Sequence, residues 1–156
     1  MLRKLLLVSL AVATLASCKK DKNDAPAYNL SAKVDGSTAG FNTAIVAQKS
    51  GDVSTGFSVV ITAVGGSASS PYPAFSLFLG DDAAITARTY TAAADDVTAM
   101  YVAGSGQATF TSDTDFTIVV SSVTDTEVKG TFSGKVEDDA GGFKTITEGT
   151  FAAKFQ

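Results

Sequence analysis

No histidine occurs anywhere in the 156 residues, tryptophan is missing, and Cys18 is the one cysteine. Without imidazole the chain has no route to Ser-His-Asp or Cys-His catalysis, and it lacks the commonest metal ligand. One cysteine cannot close an internal disulfide, so the fold has to hold by its core alone. The absence of tryptophan, in a chain this short, argues against a deep sugar cleft. Positive charge is scarce as well: 12 Lys and Arg stand against 16 Asp and Glu, for a net charge of −4. Phosphate contacts need Lys and Arg, so nucleic acid is excluded as a partner class. No Gly-rich segment is placed to cradle a phosphate between a strand and a helix. Gly104-Ser105-Gly106 reads instead as a hairpin turn.

What the chain does have begins at its first residues. Met1-Leu2-Arg3-Lys4 is basic, and Leu5 to Ala16 is apolar apart from Ser9 and Thr14. A basic start and a short apolar run form the layout of a secretory signal peptide. A run of about a dozen residues is too short to span a bilayer, which takes roughly 20. The run ends Leu15-Ala16-Ser17-Cys18, which resembles the lipobox of bacterial lipoproteins: an aliphatic residue, two small residues, then cysteine. The resemblance implies cleavage before Cys18 and attachment of diacylglycerol to its thiol, usually with acylation of the new amine. The membrane is then the first partner, and two or three chains anchor firmly where one gives marginal binding. It also leaves no free thiol for nucleophilic or zinc chemistry.

Loss of residues 1–17 removes Arg3 and Lys4, which takes the net charge from −4 to −6. The next stretch, Lys19-Lys20-Asp21-Lys22-Asn23-Asp24-Ala25-Pro26-Ala27, is polar and without apolar periodicity. It reads as a tether, giving three parts: a signal peptide (1–17), a lipidated tether (18–27) and one domain (28–156). By resemblance to the sorting rule of some enteric bacteria, where Asp after the cysteine means inner-membrane retention, Lys19 points to the outer membrane. The charged cluster past Cys18 also resembles the surface-export signal of Bacteroidetes-type lipoproteins. Periplasmic face and cell surface both stay open.

From Tyr28 onward the dominant period is two. Leu30, Ala32 and Val34 alternate with polar neighbours before an Asp35-Gly36 turn. The same alternation runs through Phe57–Ala63, Phe75–Leu79, Phe116–Val120 and Val128–Val136, and the chain closes on Phe151, Ala153 and Phe155. Val, Ile, Thr and Phe dominate, as suits a pleated, half-buried surface. Helical spacing never persists; Thr91 to Met100 comes nearest, but lacks an apolar stripe and reads as a loop or single turn. Short strands between Gly, Asp and Ser clusters predict an all-β domain, an antiparallel β-sandwich or barrel, with a C-terminal three-stranded meander. Phe57, Val59, Ile61, Phe116, Ile118, Phe132, Val136 and Phe151 are expected inward. Gly130 and Gly134 share that parity and leave room for bulky partners or mark bends.

Val128-Lys129-Gly130-Thr131-Phe132-Ser133-Gly134, then Ile146-Thr147-Glu148-Gly149-Thr150-Phe151 and Lys154-Phe155, resemble small uncharacterised lipoproteins common in Bacteroidetes. Those chains also carry an Asp-Gly turn, as at Asp35-Gly36, and a Gly-Thr-Tyr element that here reads Arg88-Thr89-Tyr90. The resemblance implies a lipid-anchored all-β domain and supplies no activity, cofactor or catalytic residue.

Candidate site residues are therefore few. Asp81-Asp82, Asp95-Asp96, Asp113-Thr114-Asp115 and Asp138-Asp139 are expected in loops. Loop aspartates can ligate calcium, though no repeat has the required spacing. Two carboxylates can also run a glycosidase, yet adjacent ones in a loop do not oppose each other across a sugar ring. Tyr72, between Pro71 and Pro73, is the candidate ligand-contact aromatic; Tyr90 and Tyr101 are expected to pack at the edge of the core. The functional expectation is a non-enzymatic, cofactor-free envelope module that binds a glycan or protein. The alternatives are calcium-dependent binding and a carboxylate-dependent hydrolase acting on envelope polysaccharide.

Overall fold

Alternation of apolar and polar residues becomes alternation of buried and exposed faces throughout a computed structural model that describes residues 28–156. The expectations for the signal peptide, for Cys18 and for the tether lie outside the described residues. The described residues form eleven strands and no helix: β1 (Asn29–Val34), β2 (Ser37–Gly40), β3 (Ala44–Asp52), β4 (Gly56–Val64), β5 (Ala74–Asp81), β6 (Thr89–Thr91), β7 (Asp96–Val102), β8 (Thr109–Ser112), β9 (Thr117–Val123), β10 (Glu127–Glu137) and β11 (Phe143–Lys154). Strand pairing is antiparallel throughout, in the order β2-β1-β11-β10-β8-β7-β5-β4-β3. The sheet curls until β3 returns to the end of β11, where Ala47 bridges Phe155 and the Gln156 amide donates to the Ala47 carbonyl at 3.1 Å. The result is an open antiparallel barrel, all-β as expected.

The wall forks at β10. Along one edge, Val128 to Ser133 pair with β9 and Val136 and Glu137 pair with β8, so β9 and its partner β6 leave the main path. Gly134 stands at the fork with φ of 144°, and a Cβ there would lie 2.5 Å from Phe116 Cα. Gly130 faces the ring of Phe151, which a Cβ would approach to 2.6 Å. Both glycines thus leave room for aromatic rings, as their parity indicated. The meander β9-β10-β11 is present with its turns at Thr124–Thr126 and Asp138–Gly142.

Seven of the eight residues expected inward are buried: Val59, Ile61, Phe116, Ile118, Phe132, Val136 and Phe151. Phe57 corrects the eighth. It keeps inward parity but sits one residue from the end of β4, where the barrel opens, and is only half-buried. Aromatic rings run through the core in series: Phe41, Phe75, Phe132 and Phe116, with centroids 5.0–6.3 Å apart. Tyr90 and Tyr101 are both buried, Tyr90 fully so and within the core rather than at its edge; the Tyr90 hydroxyl donates to the Thr86 carbonyl and accepts from the Thr86 amide. The segment Thr91–Met100 is corrected: it is not one loop, because β7 begins at Asp96 and buries Val97, Ala99 and Tyr101.

Candidate functional site

The topology sorts most of the loops to one of two ends. At one end, the mouth, lie the β3–β4 turn, the β5–β6 loop, the β6–β7 turn and the β9–β10 turn. The start of β1 is there too, since Asn29 pairs with Ala152 near the end of β11. At the other end lie the β1–β2, β4–β5, β7–β8 and β10–β11 connections, while the β8–β9 connection lies between, its Phe116 carbonyl accepting the Ala92 amide of the β6–β7 turn at 2.9 Å. This arrangement divides the aspartates. Asp81, Asp82, Asp95 and Asp96 gather at the mouth, and the others do not join them. At the far end Asp138 accepts the Ala140 and Gly142 amides at 3.0 and 2.7 Å, and in the β8–β9 connection Asp113 accepts the Thr114 amide and Asp115 accepts the Lys135 amide. Those side chains cap turns and hold strands.

Arg88 organises the mouth cluster. Its Nη2 donates to Asp81 Oδ2 at 2.7 Å and to Asp95 Oδ1 at 2.8 Å, and its Nη1 donates to the Thr89 carbonyl. The guanidinium lies 3.6 Å from the centroid of the Tyr90 ring, a cation–π contact. The remaining carboxylate oxygens are engaged too: Asp95 Oδ2 accepts the Thr91 amide at 2.8 Å and Asp81 Oδ1 accepts the Ala83 amide at 3.0 Å. The Arg88 hydrogen bonds come first in holding both carboxyls below their ordinary range, with the backbone amides adding to them. The same pairing raises the Arg88 pKa. Two carboxylates clamped to one guanidinium stay ionised at neutral pH, so neither has the raised pKa that a general acid needs. Among the described residues no three carboxylates converge in a metal-ligating group.

Two cavities open at the mouth and share Phe57 as a wall. One, of about 640 Å³, is polar in character: Ser50, Thr55 and Ser58 line it with Asp81, Asp82 and Asp96. The other, of about 760 Å³, is floored by Val59, Ile85, Val123 and Phe155, with Ala84 on its edge. Lys49 stands at its rim, 5.1 Å from the Phe155 ring centroid and 3.5 Å from Asp125 Oδ1. Ser50, Gly51, Phe57 and Ser58 line both cavities, and only the apolar one reaches the inward-facing Val59.

Tyr72 sits at the far end, in the β4–β5 connection, half-buried and joined to Pro73 by a cis peptide. It lines neither cavity. The exposed aromatic is Phe143, with 56% of its surface in solvent and Lys135 Nζ 4.6 Å from its ring. Sequence reasoning missed Arg88, although it is the only arginine after Arg3, a signal that points to a fixed fork geometry. It also missed Ile85, Val123 and Phe155 as cavity residues, because their role depends on where β11 and the β5–β6 loop meet. Comparison with family models, curated proteins and solved structures finds no match.

Proposed function

We propose that this chain is a lipid-anchored module of the bacterial envelope, held through Cys18, that binds a ligand at the mouth of its barrel and catalyses nothing. The observation carrying the binding part is the pair of cavities sharing Phe57, one polar and one apolar, at the end where four connections and the start of β1 converge. Concave sites of a few hundred Å³ with apolar walls and a few polar groups are where small ligands bind. The anchoring part rests on Leu15-Ala16-Ser17-Cys18 after a basic, apolar leader. The Lys at position 19 favours the outer membrane as its destination.

The hydrolase reading is weaker. Asp81 and Asp95 are committed to Arg88, and no histidine or free thiol stands in for them. Metabolic labelling with palmitate tests the anchor: wild type should take up label and partition into detergent, and Cys18→Ser should do neither. Soluble, unlabelled wild type ends the anchoring proposal. Affinity capture from solubilised envelopes, with a glycan array alongside, tests binding. Asp→Asn changes at Asp81, Asp82, Asp95 or Asp96 should cause graded loss at most. A hydrolase would instead lose about 10²–10⁴-fold in turnover from one of them.

A further inference from the structure

The mouth holds two unlike surfaces side by side, and their order matters. The apolar cavity runs inward from Phe57 and Ala84 over Val59 and Ile85 to Val123 and Phe155. The polar cavity begins on the other side of the same Phe57, where Ser50 and Ser58 border both. A ligand filling both must have a hydrocarbon part and a polar part joined directly, the outline of an amphiphile. At about 760 Å³ the apolar cavity, a half-open cleft, is within the size range of pockets that bind small organic molecules.

The charges at the mouth select the polar part. Asp81, Asp82, Asp95, Asp96 and Asp125 are set against Arg88 and Lys49, and Lys49 already faces Asp125. A carboxylate or phosphate head would enter a net negative field. An uncharged head bearing hydroxyls would not, and its O–H groups would find acceptors in the Asp82 and Asp96 carboxylates, which make no ion pair among the described residues. Tyr28 lies beside the end of β11, at the mouth, so the tether to the anchor proposed at Cys18 departs from this end, and membrane lipid is taken as the source of the amphiphile.

We propose that the mouth binds a single-chain amphiphile with an uncharged, hydroxylated head, an acylated polyol such as a monoacylglycerol, its chain in the apolar cavity and its head against Ser50, Ser58, Asp82 and Asp96. This assignment names the ligand for the binding module proposed above.

The test uses the full chain carrying Cys18→Ser, purified without detergent. The probes are a medium-chain monoacylglycerol below its micelle concentration and the fatty acid of the same chain length, titrated calorimetrically near neutral pH, where the acid is ionised. Saturable one-to-one binding of the monoacylglycerol is expected, with the fatty acid weaker by about tenfold or more. Ala84→Trp, at an exposed rim position, should weaken monoacylglycerol binding by a similar factor while leaving the unfolding midpoint unchanged. Asp82→Asn with Asp96→Asn should narrow the gap between the two probes. Absence of saturable binding, or an Ala84→Trp variant that binds like its parent, overturns the cavity assignment. Equal or tighter binding of the fatty acid overturns the head-group assignment. Palmitate labelling of the wild type is scored independently, so failure of the anchor and failure of the cavity give different results.

Discussion

Phe132 touches three rings at once: Phe75 at 5.0 Å, Phe116 at 6.3 Å and Phe151 at 6.4 Å between centroids. Truncation leaves a hole bounded by rigid strands, so Phe132→Ala should cost about 3–5 kcal/mol in denaturant unfolding. The ion pairs act differently, through pH. The carboxyls of Asp35, Asp81 and Asp95 are all held low, Asp35 by Lys144 and the Thr145 amide and the other two by Arg88. A carboxyl that ionises more readily folded than unfolded stabilises the fold fully above the ordinary range near pH 4. That contribution drains away as pH falls through the depressed values. Stability should therefore be level near neutrality and decline below about pH 4. Arg88→Ala should lower the midpoint at neutral pH and make the acid decline shallower, measured by thermal unfolding across a pH series. An equally steep decline in the variant would show that the clamp does not carry the effect. Phe132 was legible from parity alone. Arg88 was not, because its value comes from two aspartates seven residues away in either direction, brought together only when β5 and β7 pair.

At the scale of the strand, β10 shows how two small residues direct a wall. Its register against β11 shifts between Phe132 and Gly134, and against β9 between Lys129 and Gly130. Those irregularities let one edge serve two strands in succession. A methyl group at position 130 would press into the Phe151 ring and the Val119 carbonyl. Gly130→Ala should therefore destabilise by about 1–3 kcal/mol despite the better strand propensity of alanine, the cost of forcing an overfilled core. Adding Phe151→Leu should recover part of the loss in the same unfolding assay. The meander was readable because each of its strands buries one face and exposes the other. Strand β3 was not: of its nine residues only Ala47 is buried, so Ala44–Asp52 lacks the alternation that marked the rest. The segment Thr91–Met100 misled for a related reason. Asp95 and Asp96 look like loop residues, yet Asp95 is spent on Arg88 and Asp96 opens a strand against Gly80.

Across the molecule, one continuous core runs from Leu30 in β1 to Phe155 after β11, with no disulfide to help it. Equilibrium unfolding should be a single transition, coincident by circular dichroism and tyrosine fluorescence and unchanged by reductant. Two transitions would mean that the β6–β9 branch unfolds apart from the rest. The all-β class and several turns, among them Asp35-Gly36, Thr124–Thr126 and Asp138–Gly142, were legible in the sequence. The mouth was not, because it is assembled from β3, the β5–β6 loop, the β9–β10 turn and Phe155, segments that no local pattern links. The join between β3 and β11 has a further consequence. Long ladders such as β10 against β11 exchange many amide–carbonyl pairs, whereas β3 meets the end of the chain at Ala47 with one bridge to Phe155 and one bond from Gln156. Local opening follows the least-supported contacts. In native-state hydrogen–deuterium exchange, the Gln156 amide should therefore trade its proton early, while the amides of Gly130 and Phe132 persist to the global unfolding limit. The seam expected to open first is the one that borders the apolar cavity through Phe155.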